Sequence, residues 1–117
     1  MAHPIPTDIR LKQSEQQLLV RFDNGEEFSF SSEFLRVHSP SAEVQGHGGK
    51  GAKLVAGKAS VAIVALEPVG HYAIKLIYSD GHSTGLYTWE LLYRYGQQQA
   101  ELWQTYLTQL AAHGLSR

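Results

Sequence analysis

Six histidines carry the widest chemical reach in this sequence, because imidazole binds metals and exchanges protons near neutral pH. His38 and His47 stand nine residues apart in a Ser/Gly/Pro-rich segment, and Asp80 and His82 share one tight turn. With Glu43 and His71 nearby in type, they suggest a histidine/carboxylate metal site, a donor set that suits iron or zinc. The ligands assigned are His82, His38, His47 and Asp80, with iron or zinc as the candidate cofactor. The spacing matches neither H-E-x-x-H nor a zinc ribbon. The plainer reading is that these imidazoles are surface or hydrogen-bonding groups.

Other chemistry finds less support. Gly46-His47-Gly48-Gly49-Lys50-Gly51 has the glycines of a phosphate loop, but Lys50 is followed by Gly51 instead of Ser or Thr, and no capped helix follows. There is no G-x-S-x-G elbow. Ser79, Asp80 and His82 fall within one turn, whereas a triad draws on separated elements. Aromatic side chains crowd the second half: Tyr72, Tyr78, Tyr87, Trp89, Tyr93 and Tyr95. Most have strand or helix spacing and read as core. Trp89 and Tyr93 are i,i+4 neighbours and form a candidate platform for a protein partner.

Composition narrows the classes further. The 117 residues suit one domain, residues 1–117 with a core from about 6 to 112, and 43% of them are hydrophobic. The net charge of -1 argues against nucleic acid or an anionic membrane as partner, since both attract a basic excess. The sequence has no cysteine, which removes disulfides, thiolate metal sites and cysteine nucleophiles. Residues 1–8 lack the apolar run of a signal peptide, and no stretch nears the roughly 18 apolar residues of a membrane span. The expected location is the cytoplasm.

The elements that must position these residues are legible as alternating segments. Strands are expected over 7–13, 18–23 and 26–30, with Leu18, Val20 and Phe22 on one face. The hairpin between the last two is signalled by Asn24-Gly25, both tolerant of positive φ. A serine before Glu33 caps a single helical turn that ends before Pro40. Residues 45–58 hold five glycines and three lysines and read as a loop. Strands follow over 60–67, 72–79 and 82–87, with a turn at Pro68-Val69-Gly70 and a second hairpin signal at Asp80-Gly81. Thr88 caps a helix that Gly96 breaks or bends. Its continuation over 97–112 is amphipathic, with Leu102, Tyr106 and Leu110 on one stripe, closed by Gly114.

The two halves match at an offset of 56 residues: Val20 with Leu76, Phe22 with Tyr78, Asn24-Gly25 with Asp80-Gly81, and Ser32 with Thr88. Either hairpin-then-helix is simply a common local unit, or a half-domain is repeated with pseudo-symmetry. The expected fold is α+β: an antiparallel sheet from two strand-turn-strand-helix units, with a C-terminal amphipathic helix packed on it.

Three segments carry a family resemblance: PTDIRL (6–11), FLRVHSPSAEVQGHG (34–48) and VAIVALEPVGHYAIKLIYSDGHSTGLYTWELLY (61–93). The paired motifs L-R-x-x-S-P-S-A-E and D-G-H-x-S/T-G-x-Y-x-W resemble an uncharacterised bacterial family named for the N-terminal domain of gamma-butyrobetaine hydroxylase. In the hydroxylase, the resemblance implies, this module precedes an iron/2-oxoglutarate oxygenase domain and holds a structural zinc on three cysteines and one histidine. His82 matches that histidine, and the cysteine positions fall on Ser39, Ser41 and Val44, so the resemblance implies that the hydroxylase-type zinc site is lost. The oxygenase domain is absent from the sequence, and hydroxylation is not implied. The module is also similar to an extension on some P-loop ATPases of iron–sulfur cluster assembly. Three readings follow, in order: a non-enzymatic binding or adaptor module near iron or iron–sulfur metabolism, with such an ATPase or an oxygenase as protein partner; a metal-binding protein centred on His82; and a small-molecule-binding protein or enzyme.

Overall fold

The computed structural model describes residues 4–41 and 54–117. His47, Glu43, Val44 and the glycine-rich stretch up to residue 53 lie outside the described residues. Strand β1 spans Pro6–Lys12, β2 Gln17–Phe22 and β3 Glu27–Ser31, followed at once by helix α1, Ser32–Val37. The second half supplies β4, Ile63–Val69, β5, Ala73–Tyr78, β6, Leu86–Thr88, and the long helix α2, Trp89–Ala112.

The fold is α+β, and the six strands of the described residues divide into two antiparallel three-stranded sheets, β1-β2-β3 and β4-β5-β6. Sequence patterning anticipates the strands but not this division into two. Strands β3 and β6 end alike. Each runs without a linker into a helix whose N-cap is its own last residue: Ser31 Oγ accepts from Phe34 N, and Thr88 Oγ1 from Leu91 N. A chain that turns into a helix there ends its strand, so each cap fixes where β3 or β6 stops.

The alternation expected of β2 is present: Leu18, Val20 and Phe22 are buried. They join Phe30, Phe34 and Leu35 of the first unit and Ile63, Ile74, Leu76, Tyr78, Tyr87, Leu92 and Tyr95 of the second in one core cluster. Burial of both apolar faces in one cluster is the dominant favourable term holding the two units together. A second cluster of Val37, Tyr106 and Leu110 lies under residues 54–56.

The repeat extends to backbone geometry. Gly25 N donates to Phe22 O and Gly81 N to Tyr78 O, both at 3.0 Å, while Phe22 N reaches Glu26 O and Tyr78 N reaches His82 O. Asn24 Oδ1 accepts from Glu26 N, and Asp80 Oδ1 from His82 N. Ser32 N reaches Gln16 O, and Trp89 N reaches Tyr72 O. Even the irregularity recurs: the β1–β2 register shifts between Pro6 and Asp8, and the β4–β5 register between Ile63 and Ala65. Matching caps fall at Ser31 and Thr88, so the offset grows by one residue before each helix.

Four local expectations change. Within the pairs Asn24-Gly25 and Asp80-Gly81 it is the glycine alone that takes positive φ, 89° at Gly25 and 91° at Gly81. The turns are therefore three-residue loops closed by a left-handed glycine, and not two-residue loops with positive φ at Asn24 and Asp80. The return strand is short, Leu86–Thr88, while Pro68 and Val69 belong to β4, where proline is tolerated at a sheet edge. Gly96 does not interrupt α2. A Cβ there would collide with the ring of Phe28 on β3, so the glycine allows the helix to lie close against that ring.

Candidate functional site

Residues 39–41, just after α1, and residues 80–85, after β5, form a polar cluster. The first segment is turned by its own backbone: Ser39 N donates to Arg36 O. The second is shaped by the Asp80-Gly81 turn. Gly85 brings the two together, since a Cβ at that position would strike Ser39 Oγ and lie 3.1 Å from Pro40 Cδ.

Ser39 Oγ and His82 Nε2 are 2.9 Å apart, and both residues are buried. Ser39 Oγ also accepts from Ser41 N at 3.3 Å, and Ser41 Oγ bonds Thr84 Oγ1 at 2.6 Å. Beneath them, Tyr87 OH donates to Leu35 O at 2.7 Å. Its one proton is thereby committed, so Tyr78 OH donates to Tyr87 OH at 2.7 Å. Burial pushes both phenols above their ordinary pKa, foremost among several causes, which keeps them neutral donors.

Beside the hydroxyls stands a charge cluster. Asp80 Oδ2 accepts from Arg36 Nε at 2.9 Å and from Lys58 Nζ at 2.8 Å. Partial burial pushes the Asp80 carboxyl up, but the bonds from Lys58, the His82 N–H and Arg36 outweigh it and hold the pKa at about 2. The Arg36 guanidinium lies 5.9 Å from the centre of the Tyr78 ring, within cation–π range. Its buried Nη1 has no hydrogen-bond acceptor among the described residues.

The assigned metal ligands are thus dispersed in role. His82 bonds Ser39 through its ring, and Asp80 pairs with Arg36 and Lys58. His38 sits elsewhere: its Nδ1 meets Phe34 O at 2.9 Å and its ring packs 4.4 Å from that of Phe34. Burial lowers its pKa despite the opposing carbonyl bond. Among the described residues no group of three or more His, Cys, Asp or Glu is placed to hold a metal ion. The donors at the cluster are hydroxyls and a single imidazole, and hydroxyls are poor zinc ligands, so the set does not fit a hydroxylase-type zinc.

Trp89 and Tyr93 are half-buried against the core cluster. Trp89 Nε1 donates to His71 O at 2.7 Å, and Tyr93 OH donates to Glu26 Oε1 at 2.6 Å over the rings of Phe22 and Phe28. The main participants that spacing did not reveal are Arg36, Lys58, Thr84 and the Tyr78–Tyr87 pair. Arg36 meets Asp80 across 44 positions, and no short-range pattern encodes such a contact.

A two-unit α+β domain with a Ser/His/Thr cluster where the units meet is the class that fold and site define. The chain belongs to the gamma-butyrobetaine hydroxylase-like, N-terminal family, whose model matches residues 9–93. Two solution NMR structures are similar to it: one is 45% identical with a TM-score of 0.87, covering 99% of this chain and 91% of the other. The second is 49% identical with a TM-score of 0.85, over 98% and 86%. A crystal structure of a protein of unknown function from the DUF971 family of Acidithiobacillus ferrooxidans is 38% identical, with a TM-score of 0.65 over 76% of this chain and 89% of that one. No curated protein matches the chain.

Proposed function

We propose that this domain is a non-enzymatic binding module, an adaptor working in the cytoplasm beside iron or iron–sulfur machinery. The observation that supports it is how the candidate acid–base groups are used. His82 Nε2 is engaged by Ser39, Asp80 by Arg36 and Lys58, His38 by Phe34 O, and Tyr87 by Leu35 O. Each bond joins segments distant in sequence or closes α1, so these groups act as fasteners of a surface-presenting scaffold. Catalytic groups, by contrast, converge on a space that a substrate can enter. The family resemblance directs the partner toward an iron–sulfur assembly ATPase.

The test is calorimetric titration of this domain with a purified P-loop ATPase of iron–sulfur assembly from the same organism. A saturable one-to-one complex supports the adaptor reading, and no binding at about 100 µM of each protein sinks that partner. Elemental analysis of untagged protein purified without chelator separates the rival reading. Near-stoichiometric iron or zinc that vanishes in His82→Ala would make this a metal protein instead.

A further inference from the structure

We propose that Glu33 and Trp103 form a recognition site for a guanidinium group, filled in this structure by the chain's own Arg117, and that an arginine of a partner protein takes the site when Arg117 leaves it. The protein source of that arginine rests on the adaptor reading, whereas the site itself does not.

The receptor half is buried and built. Glu33 lies in the first turn of α1, and with Arg117 in place its side chain is only 6% exposed. Arg117 Nη2 donates to Glu33 Oε1 at 2.7 Å, and Arg117 Nε reaches Oε1 and Oε2 at 3.2 and 3.1 Å. The guanidinium carbon stands 5.5 Å from the centre of the Trp103 ring. A carboxylate at the edge of a guanidinium and an aromatic face against it is the chemistry by which proteins recognise arginine. The wall is held in place from behind. Trp103 packs 6.4 Å from Phe34 and 5.2 Å from Tyr106, and Tyr106 OH is tied to Val55 O at 2.6 Å.

The occupant is the opposite in character. The Arg117 side chain is 54% exposed. The segment that carries it is joined to the body by Leu115 N to Leu110 O and by Gly57 N to Ser116 O, and Leu115 is 44% exposed. A buried carboxylate is costly without a cation, so removing Arg117 leaves a demand that another guanidinium satisfies with the same bonds. A lysine ammonium is a point charge and cannot reproduce the edge-on contact with both carboxylate oxygens.

The experiment uses arginine amide as probe, titrated into Arg117→Ala protein and followed by the Trp103 indole resonance. Binding about tenfold tighter than to the wild type, about fivefold weaker for lysine amide, and lost in the Arg117→Ala/Glu33→Gln double variant is the expected result. A folded Arg117→Ala protein with no saturable shift, or one whose affinity survives Glu33→Gln, overturns the proposal. Should Arg117→Ala fail to fold, the wild type serves: arginine amide must move the Arg117 Nε–H resonance toward its free position, and an unmoved resonance overturns the site. Either failure leaves the ATPase titration, and the adaptor reading with it, untouched.

Discussion

Asp80 ties the two units together with one carboxylate, and its worth depends on pH. Its folded pKa, about 2, lies below the ordinary 3.8. A depressed carboxyl stabilises the fold fully above its unfolded value and loses that contribution as pH falls toward the folded one. The contribution is about 1 kcal/mol after allowance for the water that screens this turn. Urea unfolding between pH 5 and 2 should show it fading in the wild type and missing from Asp80→Asn. At neutral pH the same variant strands Arg36, which is 8% exposed, and should cost roughly 2 kcal/mol. Ser39→Ala is the matching test on the other side of the cluster. It removes one hydrogen bond to buried His82 Nε2 and one from Ser41 N, so a loss of about 1–3 kcal/mol is expected in the same assay. If Ser39→Ala is neutral, the serine–histidine bond does not hold the segments together.

The decisive contacts at the level of elements are where helices meet strands. Thr88 ends β6 and caps α2 with one hydroxyl, so Thr88→Ala should cost about 1 kcal/mol. Gly96 tests a competition. Alanine there gains about 1 kcal/mol of helix propensity, but its methyl would meet the Phe28 ring, for which α2 or β3 must shift. Overpacking of this kind costs about 1–3 kcal/mol, so Gly96→Ala should lower the melting temperature. A raised melting temperature would mean that the Phe28 ring yields freely. Sequence alone offers Gly96 as a break point because glycine is a poor helix former. The Phe28 ring, 68 positions away, gives the residue its actual role.

For the whole molecule the question is whether two similar units fold as one. Their apolar faces share a single core cluster, with Leu18, Phe22 and Phe30 from one unit and Leu76, Tyr78 and Tyr87 from the other. The Tyr78–Tyr87–Leu35 chain of hydrogen bonds crosses between them. Neither sheet can keep its face dry without its counterpart, so unfolding should be a single cooperative transition. Far-ultraviolet circular dichroism and tryptophan fluorescence should give coincident melting curves. Separate midpoints would mean that the units are independent despite the shared core.

Local physics was enough to make several features legible in the sequence. Alternation of apolar side chains marks β2 and β5, the Asx-Gly pairs mark both hairpins, and a hydroxyl before an apolar run marks each helix start, because these signals act over a few residues. The family motifs likewise drew attention to Ser39, Ser41 and His82 together. What only the tertiary structure decided are the long-range choices. The described strands form two sheets instead of one, Asp80 pairs with the side chains of Arg36 and Lys58 instead of a histidine ring, and Glu33 is answered by Arg117 across 84 positions. Such contacts depend on how two apolar faces close against each other, and burial is non-directional. The polar partners it brings together are set by the packed geometry and leave no periodic trace along the chain.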